Sequence, residues 1–370
     1  MTTSTTSPAT LPGRRARRAR GWSAAVAATV ILAACGSHPR VAAIPTTLPP
    51  PPPPPTQATT TTTRPKPAPT APLTGLVQPS RVQLVAPAVV VKIDNVDPAR
   101  PQTGINQADV VYEEMVEGGL SRLAAVFQSQ YPTTVGPVRS GRLTDEGIAD
   151  DLHHPVLAYS GTNALFLPIL RAQPVTDVDG DNHPTQFWRS NLAPAPHNLY
   201  ASVASLAATS TTHTPPPALF AYLPAGSHFS GTGLAPAVHL GLSFPNARVT
   251  WDWSAAAHLW LRGQDGTPDV DRTGVQLSTT NVVVQFVPYI TSGIATGEGG
   301  PPAPIPEGLL VGSGPVWYFS NGQVVKGSWT RSSLTTTTRY VDATGAPMHL
   351  SPGRTWVELA PVGVTPTVLP

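Results

Sequence analysis

Cysteine occurs once in this chain of 370 residues, at Cys35. A lone thiol forms no intrachain disulfide and excludes a metal site built from several thiolates. Charge is also sparse, at 12% of residues. No HExxH, paired CxxC or Walker pattern occurs, so neither a metal nor a cofactor is expected. The strained turn that exposes a hydrolase serine is missing too: Ser160, in Ala-Tyr-Ser-Gly-Thr, lacks the first glycine. What the chain has in quantity is punctuation. Its 45 prolines and 31 glycines are too many breakers for a helical bundle and point to a turn-rich fold.

The net charge of +2 conceals an uneven distribution. Arg14, Arg15, Arg17, Arg18 and Arg20 cluster near the start, and Arg40, Arg64 and Lys66 lie in low-complexity sequence. From Leu73 onward, 15 basic residues face 21 acidic ones, which is not the electrostatic footprint of a nucleic-acid binder.

The arginine cluster and the apolar run Gly21–Ala34 have the layout of a signal peptide. The run is too short to cross about 30 Å of hydrocarbon comfortably as a helix. It ends in Leu32-Ala33-Ala34-Cys35, small residues before the sole cysteine, which resembles a bacterial lipobox. That resemblance implies lipidation of Cys35 and a membrane-anchored protein on the extracytoplasmic face. A structural or catalytic thiol after a simple signal peptide is the other reading. Residues 36–72 follow as a stalk, with unbroken runs at Pro49–Pro55 and Thr59–Thr63. Such sequence favours extended polyproline II at about 3.1 Å per residue and buries too little apolar surface to fold.

The rest divides into residues 73–219, a linker at 220–232, and residues 233–370. The expected class is α+β: a mixed α/β first domain, then a small, mainly antiparallel β domain. In the first, Val89–Ile93 reads as a buried strand stopped by Asp94-Asn95. A second strand starts at Val110 and continues through Glu117 to the Gly118-Gly119 pair, and a third spans Leu120–Gln128. Asp145–Leu152, Ala164–Leu170 and Tyr200–Ala208 read as helices, Val156–Ser160 as a strand, and Asp177–Asp181 as an acidic loop. In the second domain, Val238, Leu240, Leu242 and Phe244 alternate with polar or small residues at a period of two. Asn321-Gly322 between two apolar runs is a strong hairpin signal. The five tryptophans from Trp251 to Trp329 read as core or as a platform for carbohydrate rings.

Several long stretches carry a specific resemblance. They are IDNVDPARPQTGINQADVVYEEMVEGGLSRLAAVFQS (93–129), GPVRSGR (136–142), APHNLY (195–200), NVVVQFVPY (281–289), VWYFSNGQVVKGSW (316–329) and YVDATGAPMHLSPGRTWVELAP (340–361). Together they resemble the YerB-like lipoproteins, the domain-of-unknown-function family numbered 3048, across nearly all of residues 73–361. The resemblance implies a two-domain, exported, lipid-anchored body and supplies no catalytic residues. The long Pro/Thr stalk departs from the shared pattern.

Candidate site residues concentrate between residues 89 and 142, where Asp94, Asn95 and Arg100 occupy turns and Glu117 ends the second strand. Arg139 and Arg142 flank Ser140-Gly141, so two guanidiniums can present forked donors to a carboxylate or phosphate. Pairing with the domain's own acids is the competing reading. Glu113, Glu114 and Glu117 offer carboxylates of the kind glycosidases hold about 5–9.5 Å apart. Along one strand, however, residues 113 and 117 would stand about 13 Å apart. Asp177, Asp179 and Asp181 begin like a calcium loop, but Asn182 and Trp188 stand where that loop needs Gly and Glu. His197-Asn198 reads as a loop-to-helix junction with Asn198 as cap, or as a place where His197 joins Arg139 and Arg142.

These residues point first to a non-catalytic envelope protein that binds an anionic or sugar-bearing ligand such as a cell-wall polymer. Two other readings stay open. One is a wall-acting hydrolase or transferase using the acids and His197. The other is a structural module docking another exported protein.

Overall fold

A computed structural model describes residues 69–78, 84–224, 226–295 and 304–370. The arginine cluster, the apolar run, Cys35 and the stalk as far as residue 68 lie outside the described residues. Strand β1 (Val89–Ile93) is buried along its whole length, between β3 (Ser121–Phe127) and β4 (Val156–Tyr159). Its valines and isoleucine suit a strand covered on both faces, where an apolar run replaces alternation. Strand β2 (Val110–Met115) pairs antiparallel with β3, and β5 (Thr176–Asp179) extends the edge parallel to β4.

On the other side of β2, the strand Thr355–Pro361 runs parallel to it, from Val110 beside Thr355 to Glu113 beside Glu358. Beyond it come Asn281–Val287, Gly312–Ser320, Gln323–Arg331 and Arg339–Asp342, and with the short strand Ala235–Pro236 paired to Gln323–Arg331 they complete an 11-stranded mixed sheet. The two sequence halves therefore share one sheet, and the second half is not purely antiparallel. The protein is mostly strand with few, short helices, so the helical share expected of the first half is only loosely met.

A second sheet of six strands is built around His239–Phe244, Ala247–Ser254 and Leu259–Gln264. It buries Leu240, Leu242, Phe244, Trp251 and Trp260 against Val282, Val284, Phe319 and Trp356 of the large sheet. Helix Thr144–Asp150 covers the opposite face through Ile148. The Trp251 and Trp356 rings meet edge to face at 5.1 Å, and Trp329 donates its indole N–H to the Phe286 carbonyl at 2.9 Å. Trp251, Trp260 and Trp329 are thus core, and Trp253 and Trp317 are partly buried against it, which removes the carbohydrate platform. The Asn321-Gly322 hairpin forms as expected, with φ of 52° and 68°.

Three local expectations are corrected. Strand β2 stops at Met115, because Gly118 and Gly119 adopt left-handed φ and turn Glu117–Gly119 into a tight 3-10 turn. A Cβ on Gly119 would stand 2.6 Å from Pro245, so a side chain there would push the turn off the second sheet. The helix expected over Tyr200–Ala208 is split. Leu199–Ala201 is strand β7, paired with β6 (Phe187–Arg189), and the helix is Val203–Ala207, with Ser202 rather than Asn198 as its cap. The acidic loop is largely β5. Asp177 accepts from Arg171 Nε and the Tyr159 hydroxyl, and Asp179 from the Gly161 N–H. These acids are used locally, on the kind of charged edge that discourages further strand pairing.

Candidate functional site: an arginine-rich cleft

Strands β1, β2 and β4 run in the same direction, and their carboxyl ends open together. This is where open α/β sheets leave a crevice for ligands. A cleft of about 320 Å³ lies there. Asp94 enters it directly after β1. Glu117 enters from the turn after β2, and Arg122 from the start of β3.

A ribbon of chain brings in the distant residues. Val138 bridges Ile93 of β1 on one side, and its N–H donates to the Leu199 carbonyl of β7 on the other, at 2.6 Å. Arg139 then donates its backbone N–H to the Lys92 carbonyl at 2.9 Å. The β6–β7 connection thereby places His197 against Asp94, residues 103 apart in sequence.

Asp94 Oδ2 sits 2.7 Å from His197 Nδ1 and 3.1 Å from Arg139 Nε. The Asp94 side chain is 1% exposed, whereas Arg139 is 28% and His197 19% exposed. Arg142 grips Glu117 Oε2 with Nε at 3.0 Å and Nη2 at 2.9 Å, and donates Nη1 to the Gly141 carbonyl at 2.7 Å. Beneath them, Lys92 is buried between Glu114 and Asp145, and Asp145 accepts the Arg142 backbone N–H at 2.7 Å. The buried triad therefore holds the arginines that line the cleft above it.

Arg122 is the unbalanced member. It is 7% exposed, lines the cleft, and makes one hydrogen bond, from Nη1 to the Ser140 carbonyl at 3.1 Å. Its Nε has no partner, and among the described residues it forms no ion pair. Burial, with the Arg142 charge beside it, pulls its pKa down to about 10, while Asp94 and Glu117 act in the opposite sense. A buried cation is costly unless an anion or hydrogen-bond acceptors compensate it.

Comparison with known proteins accords with this architecture. Residues 73–215 match the model described as "Protein of unknown function (DUF3048) N-terminal domain", and residues 240–357 match its C-terminal domain. The chain belongs to this family. It is 29% identical over 304 residues to "Putative lipoprotein YerB" of Bacillus subtilis (strain 168), covering 79% of this chain and 86% of that protein. The crystal structure of the Bacillus subtilis YerB protein shares the fold, with a TM-score of 0.66 at 24% identity, covering 80% of this chain and 99% of that one.

Of the residues singled out in the sequence, Asp94, Glu117, Arg139, Arg142 and His197 all line the cleft. Three others lie elsewhere. Asn95 does not line the cleft and is buried alongside, donating to Ser121 Oγ at 2.9 Å and Gln264 Oε1 at 3.1 Å. Arg100 pairs with Asp97 and with Asp265 at 3.3 Å. Asn198 accepts from Arg189 Nη1 at 2.7 Å. Arg122 counts among the polar residues of the 89–142 stretch but was not chosen as a site residue, although one signal was present. On β3 it shares a face with Ala124 and Val126, so a charge stands where the strand's pattern puts core. Among the described residues, no group of three or more His, Cys, Asp and Glu is placed to hold a metal.

Proposed function

We propose that this protein is an exported, lipid-anchored binding protein of the cell envelope that captures an anionic ligand in the cleft at the ends of β1, β2 and β4. The observation that carries this reading is Arg122, a nearly buried guanidinium lining the cleft that forms no ion pair among the described residues and leaves Nε without a partner. Support for the anchor comes from the Leu32–Cys35 stretch and from the printed name of the Bacillus relative. Binding needs little more than preorganised donors, and Lys92 and Asp145 hold Arg139 and Arg142 from below. The test is retention on purified cell-wall material. Arg139→Ala removes a partly exposed side chain, so melting should change little while retention falls about tenfold or more, as expected for a lost charged hydrogen bond. Retention equal to wild type would remove Arg139 from the site.

A second reading rests on the Asp94–His197 contact of 2.7 Å. A carboxylate that orients an imidazole is half of a general-base arrangement. On that reading the protein is a wall-acting hydrolase or transferase, and labelled peptidoglycan should release product with wild type and none with His197→Ala. Retention without release favours the binding protein.

A further inference from the structure

The chemical class of the ligand follows from how the donors of the cleft are committed, and this inference rests on the anion-binding reading above. Arg142 spends Nε, Nη1 and Nη2 on Glu117 and the Gly141 carbonyl. Arg139 sets only Nε against Asp94, and its terminal nitrogens have no hydrogen-bond partner among the described residues. Arg122 uses one nitrogen, on the Ser140 carbonyl. Arg142 thus commits three of its five N–H groups, and most of the open donors belong to Arg122 and Arg139.

Charge limits the ligand further. Arg122, Arg139, Arg142 and the buried Lys92 stand with four acids, Asp94, Glu117, Glu114 and Asp145. Each further negative charge on a ligand therefore adds repulsion, which favours a monoanion over a dianion. A phosphate group would turn its remaining oxygens toward Asp94 or Glu117, whereas a carboxylate presents two oxygens in a plane to a guanidinium fork.

The rest of the lining supplies the remaining constraint. Val96, Val116, Leu120 and Ile305 form an apolar wall, and among the described residues no Phe, Tyr or Trp lines the cleft. A sugar would find no phenyl, phenol or indole face to stack on, while a short aliphatic group would leave water for that wall.

We propose that the cleft recognises a carboxylate monoanion carried on a small aliphatic group, as at a peptide C-terminus ending in alanine. Arg122 and Arg139 take the carboxylate, and Val96, Val116, Leu120 and Ile305 cover the side chain.

Calorimetric titration of the detergent-solubilised full chain tests this with four probes: N-acetyl-alanyl-alanine, its C-terminal amide, N-acetyl-alanyl-glycine and dimethyl phosphate. The acid should bind, and the amide should bind about tenfold more weakly or worse, having lost its charged hydrogen bonds. The glycine peptide should be weaker by roughly fourfold, for one methyl withdrawn from the wall. Arg122→Gln should abolish binding of the acid. Because that side chain is nearly buried, Arg139→Gln is the second variant, and it should weaken the acid about tenfold while keeping the wild-type melting curve. Equal binding of acid and amide, or binding untouched by Arg139→Gln, overturns the proposal. Binding of dimethyl phosphate without the acid overturns the carboxylate assignment and leaves the anion-binding reading standing. Failure of both anions to bind overturns both.

Discussion

The open cleft and the sealed seam beneath it are made of the same residue types and behave as opposites. In the seam, Arg262 bonds Glu113 at 2.7 Å and also pairs with Asp269, with all three side chains at most 3% exposed. Asn95, Ser121 and Gln264 complete the network, and Ser121 donates to Glu113 at 2.6 Å. In the cleft, Arg142 and Glu117 make a comparable pair at 2.8 Å, with side chains 12% and 15% exposed. Chain neighbours are divided between the two regions. Asp94 turns into the cleft and Asn95 into the seam. Glu113 is locked under the second sheet, and Glu117, one turn further on, is open. An arginine–carboxylate pair is therefore not informative as a motif. What matters is whether the fold closes over it, because closure turns a possible ligand contact into a structural one.

The largest effect that separates the two regions is expected at Arg262. Arg262→Met leaves Glu113 and Asp269 as unpaired buried acids and should cost about 3–5 kcal/mol in urea unfolding. Ligand retention should be unchanged under conditions where the variant stays folded. A loss below about 1 kcal/mol would mean that water reaches the seam, and the contrast would fail.

The second effect concerns pH. Glu358 lies beside Glu113 on the adjoining strand and accepts from the Trp251 indole at 2.8 Å. Burial first, and then the Glu113 charge, raises its pKa well above the ordinary carboxylate range. A raised folded-state pKa contributes stability that is complete below the unfolded value of about 4.5 and is lost as pH climbs toward the folded value. Glu358→Gln lacks this decline, so its stability relative to wild type should grow between about pH 5 and pH 8 in paired urea titrations. Parallel curves would show that Glu358 is solvated.

The smallest effect belongs to the cleft. Glu117→Gln breaks a partly exposed ion pair, so stability should change by no more than about 1 kcal/mol. It also adds one net positive charge beside Arg122, so anion affinity should rise by roughly a few-fold, and more at low salt. Weaker binding would show that Glu117 is needed to aim Arg142.

Much of this could be read from the chain before any coordinates. Val89–Ile93, the Asn321-Gly322 hairpin and the alternation of Leu240, Leu242 and Phe244 follow from local periodicity and turn chemistry, which act within a few residues. Asp94, Arg139, Arg142 and His197 were legible as polar residues in turns and loops, and Glu117 as the end of a strand. Asn95, Arg100 and Asn198 carried the same signal and lie elsewhere, since a turn does not tell which way its side chains leave. Arg122 was not singled out for the site because its setting depends on Ser140, Arg139 and Arg142, which reach it through the ribbon beside β1. The Tyr200–Ala208 helix failed for a related reason: pairing with β6 overrode the helical reading of Leu199–Ala201.

Local sequence was sufficient for individual strands such as Val89–Ile93, for the polar turn after β1 and for the Asn321-Gly322 hairpin. Each of these depends on propensities and patterns that span a few neighbouring residues. Tertiary structure alone decided that β2 would lie beside Thr355–Pro361, that Asp94 would meet a histidine 103 residues away, and that one set of ion pairs would be sealed while another stayed open. Those outcomes depend on which surfaces lose water together, and desolvation is settled only when distant segments pack.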